Sequence, residues 1–312
     1  GKISRLFRAL FFSIISIVYN ILIPSNVLVC SSGPITAAVS LIIPKKTKKI
    51  LEIRDLWPHG AFEMDKIPNN KFTRSILYGL EKILYMNANK IITCSPAQKS
   101  FLLEKYPSLL HNKIYIVEHG IDERILNDFN KYREKINKPK YSYWVVCATL
   151  GYIHNPFKWL KLSELISQLD NSIKIVLVGS GPLYSELENY IKKTELNNII
   201  LTGQLEKKEM NKWLSNAEFC LFSTLNNKIQ RTCAPNKIYD YLAFEVPVLM
   251  DLDMWLTEKY SDFIWNLDFD KLTTEKLIEL RKRKKELSSE IFTYHKKNLN
   301  RKVLAQSFFD GI

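Results

Sequence analysis

The sequence predicts an α/β protein made of two doubly wound domains. Short apolar runs typical of buried strands alternate with amphipathic helical segments. This alternation occurs once in residues 1–125 and again in residues 142–270. The segment between them, 126–141, is polar and rich in Lys and Asn, as expected of a linker. Repeated alternation of strand and helix favours a parallel sheet in each domain.

In the first region the pattern predicts four strands, at 27–30, 49–53, 90–93 and 114–117. Between them it predicts helices at 35–43, 73–86 and 96–106. The last helix is the best defined, because Ser95 and Gln98 form a capping box around Pro96, a residue favoured at the first helical position.

In the second region the pattern predicts five strands, at 143–148, 173–178, 199–202, 219–222 and 246–250. It also predicts helices at 157–169 and 207–214, and one that begins at Pro235 and continues through Leu242. A C-terminal segment at 271–312 is predicted to be helical and basic. Its charge run, 281–285, fits a solvated helix face or, alternatively, a contact with anionic lipid.

The first 24 residues combine three basic residues with an apolar run at helical spacing. A leader peptide is disfavoured because Val29, rather than a small residue, precedes Cys30. A transmembrane helix is disfavoured because Asn20 and Pro24 interrupt a run that is already short. We therefore expect a helix half buried in its domain that rests on a membrane through a basic and aromatic face.

Composition limits the possible partners. The chain has 312 residues, of which 46% are hydrophobic and 25% are charged, and its net charge is +13. The hydrophobic fraction indicates a globular protein, and the charge favours an anionic partner. A nucleic acid is not expected, because aromatic residues do not alternate with basic ones. A dinucleotide-dependent oxidoreductase is disfavoured since no G-x-G-x-x-G follows a first strand. Five cysteines without a ligand pattern indicate a reducing, cytoplasmic compartment.

The stretch 232–251 carries the strongest sign of chemistry. Lys237 lies in the first turn of the predicted helix, where a cation opposes the helix dipole. A bound anion would remove that conflict, because free backbone N–H groups and the lysine could hold it together. Asn236 and Asp240 are four residues apart and share a helix face, so Asp240 could accept hydrogen bonds from a sugar diol. The alternative is an ordinary helix with a chance lysine.

Two further loops follow predicted strands, at the sheet edge where α/β proteins place functional groups. Arg54 and Asp55 follow the strand at 49–53, either as cleft residues or as a structural pair beside Trp57. Gly179 and Gly181 follow the strand at 173–178, where glycine permits a close approach to a ligand. Both loops are therefore candidates for a site.

Four stretches stand in an order and spacing that resemble one family. They are Arg54 to Pro58, Val178 to Pro182, Leu201 to Gln204, and Pro235 to Ala243. The chain resembles the retaining GT-B glycosyltransferases of family 4, especially the bacterial surface-polysaccharide enzymes, from about residue 26 to 309. The resemblance implies two Rossmann-like domains that face a cleft. It also implies transfer of a sugar from a nucleotide-sugar, commonly a UDP-sugar, with retained anomeric configuration.

The resemblance implies roles for single residues in the donor domain. Lys158 and Lys237 would contact the diphosphate, and Asp240 would hold the ribose hydroxyls. Gly179 and Gly181 would let their loop pass near the nucleotide. The leaving diphosphate could be stabilised by lysines and a helix N-terminus, so neither a metal nor an enzyme nucleophile is expected.

The same resemblance implies further contacts on both sides of the cleft. Pro235 and Asn236, with Lys237, would face the donor sugar, and Gln204 ends another donor-side motif. Arg54 and Asp55 would lie on the acceptor side. The acceptor would be a lipid-linked or other saccharide. The protein would work in the cytoplasm, on an anionic inner face of the plasma membrane.

The sequence also departs from the family pattern. Thr232 stands where many members have a glutamate, so a carboxylate contact with the donor sugar is not expected there. The first domain lacks its first strands and glycine-rich turn, and we expect that part of it is absent. These departures leave an alternative function, a non-catalytic module of the same fold that binds an anion or a membrane surface. Two D-x-D patterns, at 251–253 and 268–270, follow late strands rather than the nucleotide loop, and we do not expect them to bind metal.

Overall fold

The structure, a computed structural model, describes residues 2–126 and 141–310. The chain divides into two compact units. Unit 1 comprises Gly1–Glu118 with the segments Lys228–Cys233 and Ser307–Ile312, and unit 2 comprises His119–Asn227 and Ala234–Gln306. The expected linker at 126–141 lies almost entirely outside the described residues, so its nature stays a prediction.

Unit 1 is built on a four-stranded parallel sheet with the order β1-β2-β3-β4. The strands are β1 (Val27–Ser32), β2 (Lys48–Ile53), β3 (Lys90–Thr93) and β4 (Ile114–Ile116). Each contains an apolar run that the sequence pattern predicts. In the ladder, Leu51 of β2 lies opposite Ile91 of β3, and Ile91 lies opposite Ile114 of β4. These three residues are buried, as expected in the interior of a parallel sheet.

The helices of unit 1 are α1 (Lys2–Leu22), α2 (His59–Glu63), α3 (Lys71–Asn87), α4 (Pro96–Lys105) and α5 (Pro107–Leu110). The helix predicted at 35–43 forms as a 3₁₀ helix, Ile35–Ile42. The start of α4 is as predicted, because the Ser95 hydroxyl oxygen accepts a hydrogen bond from the Gln98 N–H at 3.0 Å. This bond satisfies one of the free donors at the helix N-terminus.

Helix α1 is half buried, as expected from its sequence. The Ser13 hydroxyl donates to the Thr36 carbonyl at 2.7 Å, and the Asn20 amide donates to the Ser40 carbonyl at 2.9 Å. Both bonds fasten α1 to the 3₁₀ helix. Its other side is apolar and exposed, with Phe7, Phe11, Ile14 and Leu22 each more than half accessible. No helix in the described part of the chain is long and apolar enough to cross a bilayer.

A buried carboxylate helps to hold unit 1 together. Glu81 of α3 is fully buried and accepts hydrogen bonds from the hydroxyls of Tyr85 and Tyr106, at 2.9 and 2.5 Å. Its third neighbour is the His59 ring, whose Nε2 lies 3.1 Å from Oε1. Burying a charge is costly unless it is hydrogen-bonded, and here it is. This cluster joins α2, α3 and the end of α4.

Unit 2 is built on a six-stranded parallel sheet with the order β10-β9-β8-β5-β6-β7. The strands are β5 (Ser142–Cys147), β6 (Ile173–Val178), β7 (Ile199–Gly203), β8 (Phe219–Phe222), β9 (Val248–Met250) and β10 (Ile264–Asn266). The strand order reverses between β5 and β8, since β6 and β7 continue to one side of β5 and β8 to β10 to the other. In open α/β sheets, ligands bind at the carboxyl ends of the strands beside such a reversal.

The helices of unit 2 begin with α6 (Phe157–Leu169), α7 (Tyr184–Thr194), α8 (Lys207–Ser215) and α9 (Asn236–Ala243). They continue with α10 (Trp255–Lys259), α11 (Thr274–Glu286), α12 (Ser289–Asn298) and α13 (Arg301–Asp310), whose last residues belong to unit 1. Helix α9 begins at Asn236, one residue later than predicted, so Pro235 is its N-cap residue and not its first helical residue. The single helical segment expected at the C-terminus is three separate helices.

The basic run of α11 is only partly a solvated face. Arg281 donates to Glu218 at 2.8 Å and to Asp170 at 2.9 Å, so it ties α11 to β8 and to the end of α6. Lys284 donates to the Glu218 carbonyl at 2.5 Å. Lys282 is exposed. Arg283 donates to the Ser261 carbonyl at 2.8 Å. Three of the five charges therefore fix the packing of unit 2, where the sequence interpretation expected a solvated face or a lipid contact.

Candidate functional site

Unit 2 contains a pocket at the carboxyl ends of β5, β6 and β7, next to the reversal of strand order. Its volume is about 610 Å³, within the range of small-molecule sites, roughly 300–1,000 Å³. The walls combine an apolar floor with a few polar groups. Among the lining residues are Cys147, Thr149, His154, Gly179, Gln204, Lys237, Asp240 and Tyr241.

The glycine loop of the pocket is pressed against the loop that follows β5. At Gly179, φ is +143° and an added Cβ would lie 2.0 Å from the Ala148 carbonyl oxygen. At Gly181, an added Cβ would lie 2.4 Å from the Leu150 carbonyl oxygen. Any side chain at either position would therefore collide with backbone. The glycines are required by the contact between two loops, whatever their predicted role toward a nucleotide.

Helix α9 forms the wall that carries the expected anion ligands. Its N-cap residue, Pro235, provides no side-chain cap, and of the first N–H groups that of Ile238 is bonded to the Pro235 carbonyl at 3.1 Å. Lys237 is the second residue of the helix, and its ammonium lies 5.5 Å from the centre of the Phe222 ring. Burial lowers the pKa of Lys237 to about 8, although the Cys147 thiol opposes this slightly. No carboxylate of the described residues forms an ion pair with it.

Asp240 lies one turn further along α9 and also lines the pocket. Burial raises the pKa of its carboxyl group, while the charges of Lys207 and Arg301 act in the opposite direction. Within the described residues its carboxylate has no hydrogen-bond partner. The next residue, Tyr241, accepts a hydrogen bond from the Cys147 N–H at 3.0 Å and so fixes α9 against the end of β5. The Asp240 carboxylate is thus held at the pocket wall and is available to a ligand.

His154 is a pocket residue that sequence analysis missed. It ends the short 3₁₀ helix Tyr152–His154 after β5. Its Nδ1 lies 3.1 Å from the Ser223 carbonyl, and its Nε2 lies 3.5 Å from the ammonium of Lys237. Burial lowers the pKa of His154 to about 4, and the charge of Lys237 acts in the same direction. A single histidine between predicted elements matches no sequence motif, so its place in the pocket is seen only in the structure.

Lys158, expected to bind the diphosphate, is not among the residues that line this pocket. It is the second residue of α6 and forms an ion pair with Asp251, which follows β9. The Asp251 carboxylate also accepts a hydrogen bond from the Ser223 hydroxyl at 3.1 Å, and its side chain is only 6% exposed. Contact between Lys158 and a diphosphate stays a prediction, and it would require the lysine to leave or share this carboxylate.

The remaining predicted residues lie in two places. Gln204 lines the pocket, whereas Asn236 is exposed at the start of α9 and Pro235 directly precedes it. Arg54 and Asp55 are exposed at the carboxyl end of β2 in unit 1. They form no ion pair with each other in the described structure, which does not favour the alternative of a structural Arg–Asp pair.

Neither aspartate pattern forms a cluster of ligands. Asp253 accepts a hydrogen bond from Asn266 at 2.5 Å, and Asp268 pairs with Lys271 at 3.1 Å. Across residues 2–126 and 141–310, no group of three or more His, Cys, Asp or Glu side chains could hold a metal ion. Asp253 and Asp268 thus make ordinary surface contacts, and Asp251 belongs to the Lys158 ion pair.

Comparison with protein families places the pocket in a known type of domain. Residues 148–251 match the family model described as glycosyl transferases group 1. This segment is one third of the chain, and it contains the glycine loop, Lys158, Lys237 and Asp240. The match confirms the prediction of a glycosyltransferase. Comparison with curated proteins gives no match.

Solved structures resemble the chain in fold. Sucrose-phosphate synthase from Thermosynechococcus elongatus has a TM-score of 0.68 at 13% identity, over 94% of this chain and 74% of that one. Anabaena HepE in complex with UDP-glucose has a TM-score of 0.64 at 12% identity, over 91% and 78%. TarM has a TM-score of 0.64 at 12% identity, over 95% of this chain but 57% of its own. The chain thus spans less than two thirds of the TarM length. At these identities the likeness establishes the fold, and it confirms the predicted α/β class of GT-B structures.

Proposed function

We propose that this protein is a retaining GT-B glycosyltransferase of family 4 that acts in surface-polysaccharide synthesis. It would transfer a sugar from a nucleotide-sugar, a UDP-sugar, to a lipid-linked or saccharide acceptor. One observation carries this proposal: Lys237 and Asp240 line the same pocket from one helix, inside the segment that matches the glycosyltransferase model. The UDP-glucose in the HepE structure supports the choice of a UDP-sugar as the donor.

The chemistry of this transfer fits the charges of the pocket. The bond between the anomeric carbon and the diphosphate oxygen breaks, and a bond to the acceptor oxygen forms on the same face of the sugar. The acceptor proton passes to the departing diphosphate, so the reaction needs no enzyme nucleophile. Negative charge grows on the diphosphate as it leaves. The Lys237 ammonium and the N-terminal end of α9 are suited to stabilise that charge.

Other residues would bind the two substrates. In this proposal the Asp240 carboxylate accepts hydrogen bonds from the ribose hydroxyls. Gln204 contributes to the nucleotide side of the pocket. Arg54 and Asp55, at the carboxyl end of β2, contact the acceptor. Lys158 contacts the diphosphate only when Asp251 releases it or shares it.

Binding of UDP tests the donor site directly. We expect the wild-type protein to bind UDP in a calorimetric titration and the Lys237→Met variant to bind it much more weakly. Lys208→Met is the matched control, because Lys208 is an exposed lysine on α8. Release of UDP from a panel of UDP-sugars, in the presence of saccharide acceptors, then tests transfer. A wild-type protein that shows no affinity for UDP or any UDP-sugar would refute the proposal.

Two specific features favour a second function. Thr232 stands in the place of a family glutamate, and Lys158 is engaged by Asp251. Both features weaken the case for catalysis while leaving the anion pocket intact. The alternative is a non-catalytic module that binds a nucleotide without transferring sugar. It predicts UDP binding without UDP release from any donor, whereas the transferase predicts both.

The exposed face of α1 supports a location at a membrane surface. Its apolar residues Phe7, Phe11 and Leu22 are 68%, 65% and 72% exposed, and the sequence of its first turns contains Lys2 and Arg5. Such a helix can lie in the interface of an anionic bilayer. We therefore propose a peripheral position on the cytoplasmic face of the plasma membrane. Co-sedimentation with vesicles containing anionic lipid, and not with neutral vesicles, is the expected result, and Phe7→Ser/Phe11→Ser should abolish it.

A further inference from the structure

The His154 ring is anchored on one side of the donor pocket. Its Nδ1 faces the Ser223 carbonyl at 3.1 Å. A carbonyl oxygen can only accept a hydrogen bond, so Nδ1 must carry the hydrogen. The opposite nitrogen, Nε2, then carries a lone pair. The ring is thus fixed in one tautomer by the backbone that follows β8.

The free lone pair of His154 points at the catalytic lysine candidate. Nε2 lies 3.5 Å from the Lys237 ammonium, which is the long limit of a hydrogen bond. An ammonium is a donor only, so it can donate to this lone pair. On its other sides Lys237 has the Phe222 ring at 5.5 Å and the Cys147 thiol, and no described carboxylate within ion-pair distance. His154 is therefore the polar side chain that holds the ammonium in place.

The charge state of the ring agrees with this geometry. Burial and the nearby ammonium lower the pKa of His154 to about 4, so the ring is neutral near pH 7. A neutral ring accepts a hydrogen bond from Lys237, whereas a protonated ring would repel it. The anchor is also fixed, since the Ser223 hydroxyl donates to Asp251 at 3.1 Å while its carbonyl faces the ring. Ser223 thus contacts both the histidine next to Lys237 and the aspartate that pairs with Lys158.

We propose that His154 is a positioning residue of the donor pocket, which holds the Lys237 ammonium where a diphosphate can reach it. This inference rests on the proposed function and adds a residue that the family match does not assign. Its role is to accept one hydrogen bond from Lys237 and leave the remaining two ammonium hydrogens for phosphate oxygens. The ligand that we infer is a nucleoside diphosphate, with its phosphates next to the N-terminal end of α9.

The decisive experiment is a double-mutant cycle on UDP affinity. His154→Met removes the acceptor, and His154→Gln keeps one. We expect His154→Met to weaken UDP binding by about three- to tenfold, the range for one lost hydrogen bond, and His154→Gln to restore most of the affinity. In the Lys237→Met background the same His154→Met change should reduce UDP affinity by less than about twofold, because the two residues act as a unit.

Tyr152→Met, a substitution of an exposed residue in the same 3₁₀ helix, is the control. An equal loss in both backgrounds means that His154 serves only the packing of the loop, and overturns the proposal.

A second measurement needs no ligand. The pKa of Lys237 can be followed by NMR after reductive methylation with ¹³C-formaldehyde. A lost acceptor destabilises the ammonium, so His154→Met should lower the pKa of Lys237, and His154→Gln should return it towards the wild-type value. An unchanged pKa in His154→Met contradicts the proposed contact. If the wild-type protein fails to bind UDP while this pKa still falls, the donor function is wrong and the positioning contact stands.

Discussion

Lys158 and Lys237 occupy equivalent places in unit 2 and have opposite surroundings. Each is the second residue of a helix, α6 or α9, near the carboxyl edge of the same sheet. Lys158 forms an ion pair with the buried carboxylate of Asp251. Lys237 meets a neutral histidine and an aromatic ring. The position of a lysine at a helix N-terminus therefore does not define an anion site, since the charges around it decide whether it is available.

The physical reason is the cost of the charge. A cation in the first turn of a helix opposes the partial positive charge of the helix N-terminus. At Lys158 an aspartate compensates for that cost within the protein. At Lys237 no carboxylate of the described residues compensates for that cost, and burial lowers the pKa of the ammonium to about 8. A site whose cation lacks a partner gains the most when an anion binds, so we assign the diphosphate to Lys237.

The largest expected effect is the loss of UDP affinity in Lys237→Met. A hydrogen bond to a charged group contributes about 1.5–3 kcal/mol, so affinity should fall by about ten- to a hundredfold. Isothermal titration with UDP measures this effect, and unfolding in urea checks that the variant is folded. We expect its stability to equal or exceed that of the wild type, because a buried uncompensated charge is removed. If the variant binds UDP as tightly as the wild type, Lys237 does not bind the diphosphate, and the proposed difference between Lys237 and Lys158 is wrong.

The second effect concerns stability rather than affinity. Lys158→Met leaves the carboxylate of Asp251 buried without a cation, and one of its oxygens, Oδ1, already has no hydrogen-bond partner among the described residues. We expect a loss of about 1–3 kcal/mol in the free energy of unfolding, measured in urea. Adding Asp251→Asn should recover part of it, because the unpaired charge is gone. Lys161→Met, an exposed lysine on the same helix, is the control.

The same variant sharpens the assignment of the diphosphate ligand. If Lys158 stays with Asp251, Lys158→Met should weaken UDP binding by about threefold or less, as a distant charge does. A loss as large as that of Lys237→Met would mean that Lys158 exchanges Asp251 for the diphosphate. The predicted contact between Lys158 and the diphosphate would then be correct, and the Lys158–Asp251 ion pair would form only when no ligand is bound.

The contrast also explains what the sequence could predict. The strands 90–93, 173–178 and 219–222 and helix 157–169 form at the predicted residues, because local apolar patterns determine them. Lys237 and Asp240 share a wall because their spacing is set by one helix. The pairing of Lys158 with Asp251 joins residues 93 positions apart and depends on the sheet order, which no local pattern contains. His154 needed the same tertiary information.

A third prediction is the pH dependence of UDP binding. The pKa of Lys237 is lowered to about 8, so the ammonium is present below that pH and is lost as the pH rises through it. Since only the ammonium attracts a diphosphate, affinity should be level near pH 7 and fall by about tenfold between pH 7 and 9. Titrations across this range in Lys237→Met should be flat. A wild-type profile that stays level to pH 9.5 would show that another cation binds the phosphates.

The smallest expected effect concerns the two aspartates that accompany the lysines. Asp251 is engaged by Lys158, whereas Asp240 has no partner in the described chain and faces the pocket. Asp240→Asn keeps the shape but weakens an acceptor of ribose hydroxyls, so UDP affinity should fall by about two- to tenfold. Inorganic pyrophosphate lacks the ribose and provides the control, because its affinity should stay constant or rise as a negative charge leaves the pocket. Equal losses for UDP and pyrophosphate would mean that Asp240 acts on the charge of Lys237 and not on the nucleoside. The ratio of the two affinities therefore separates recognition of the ribose from the general electrostatics of the pocket.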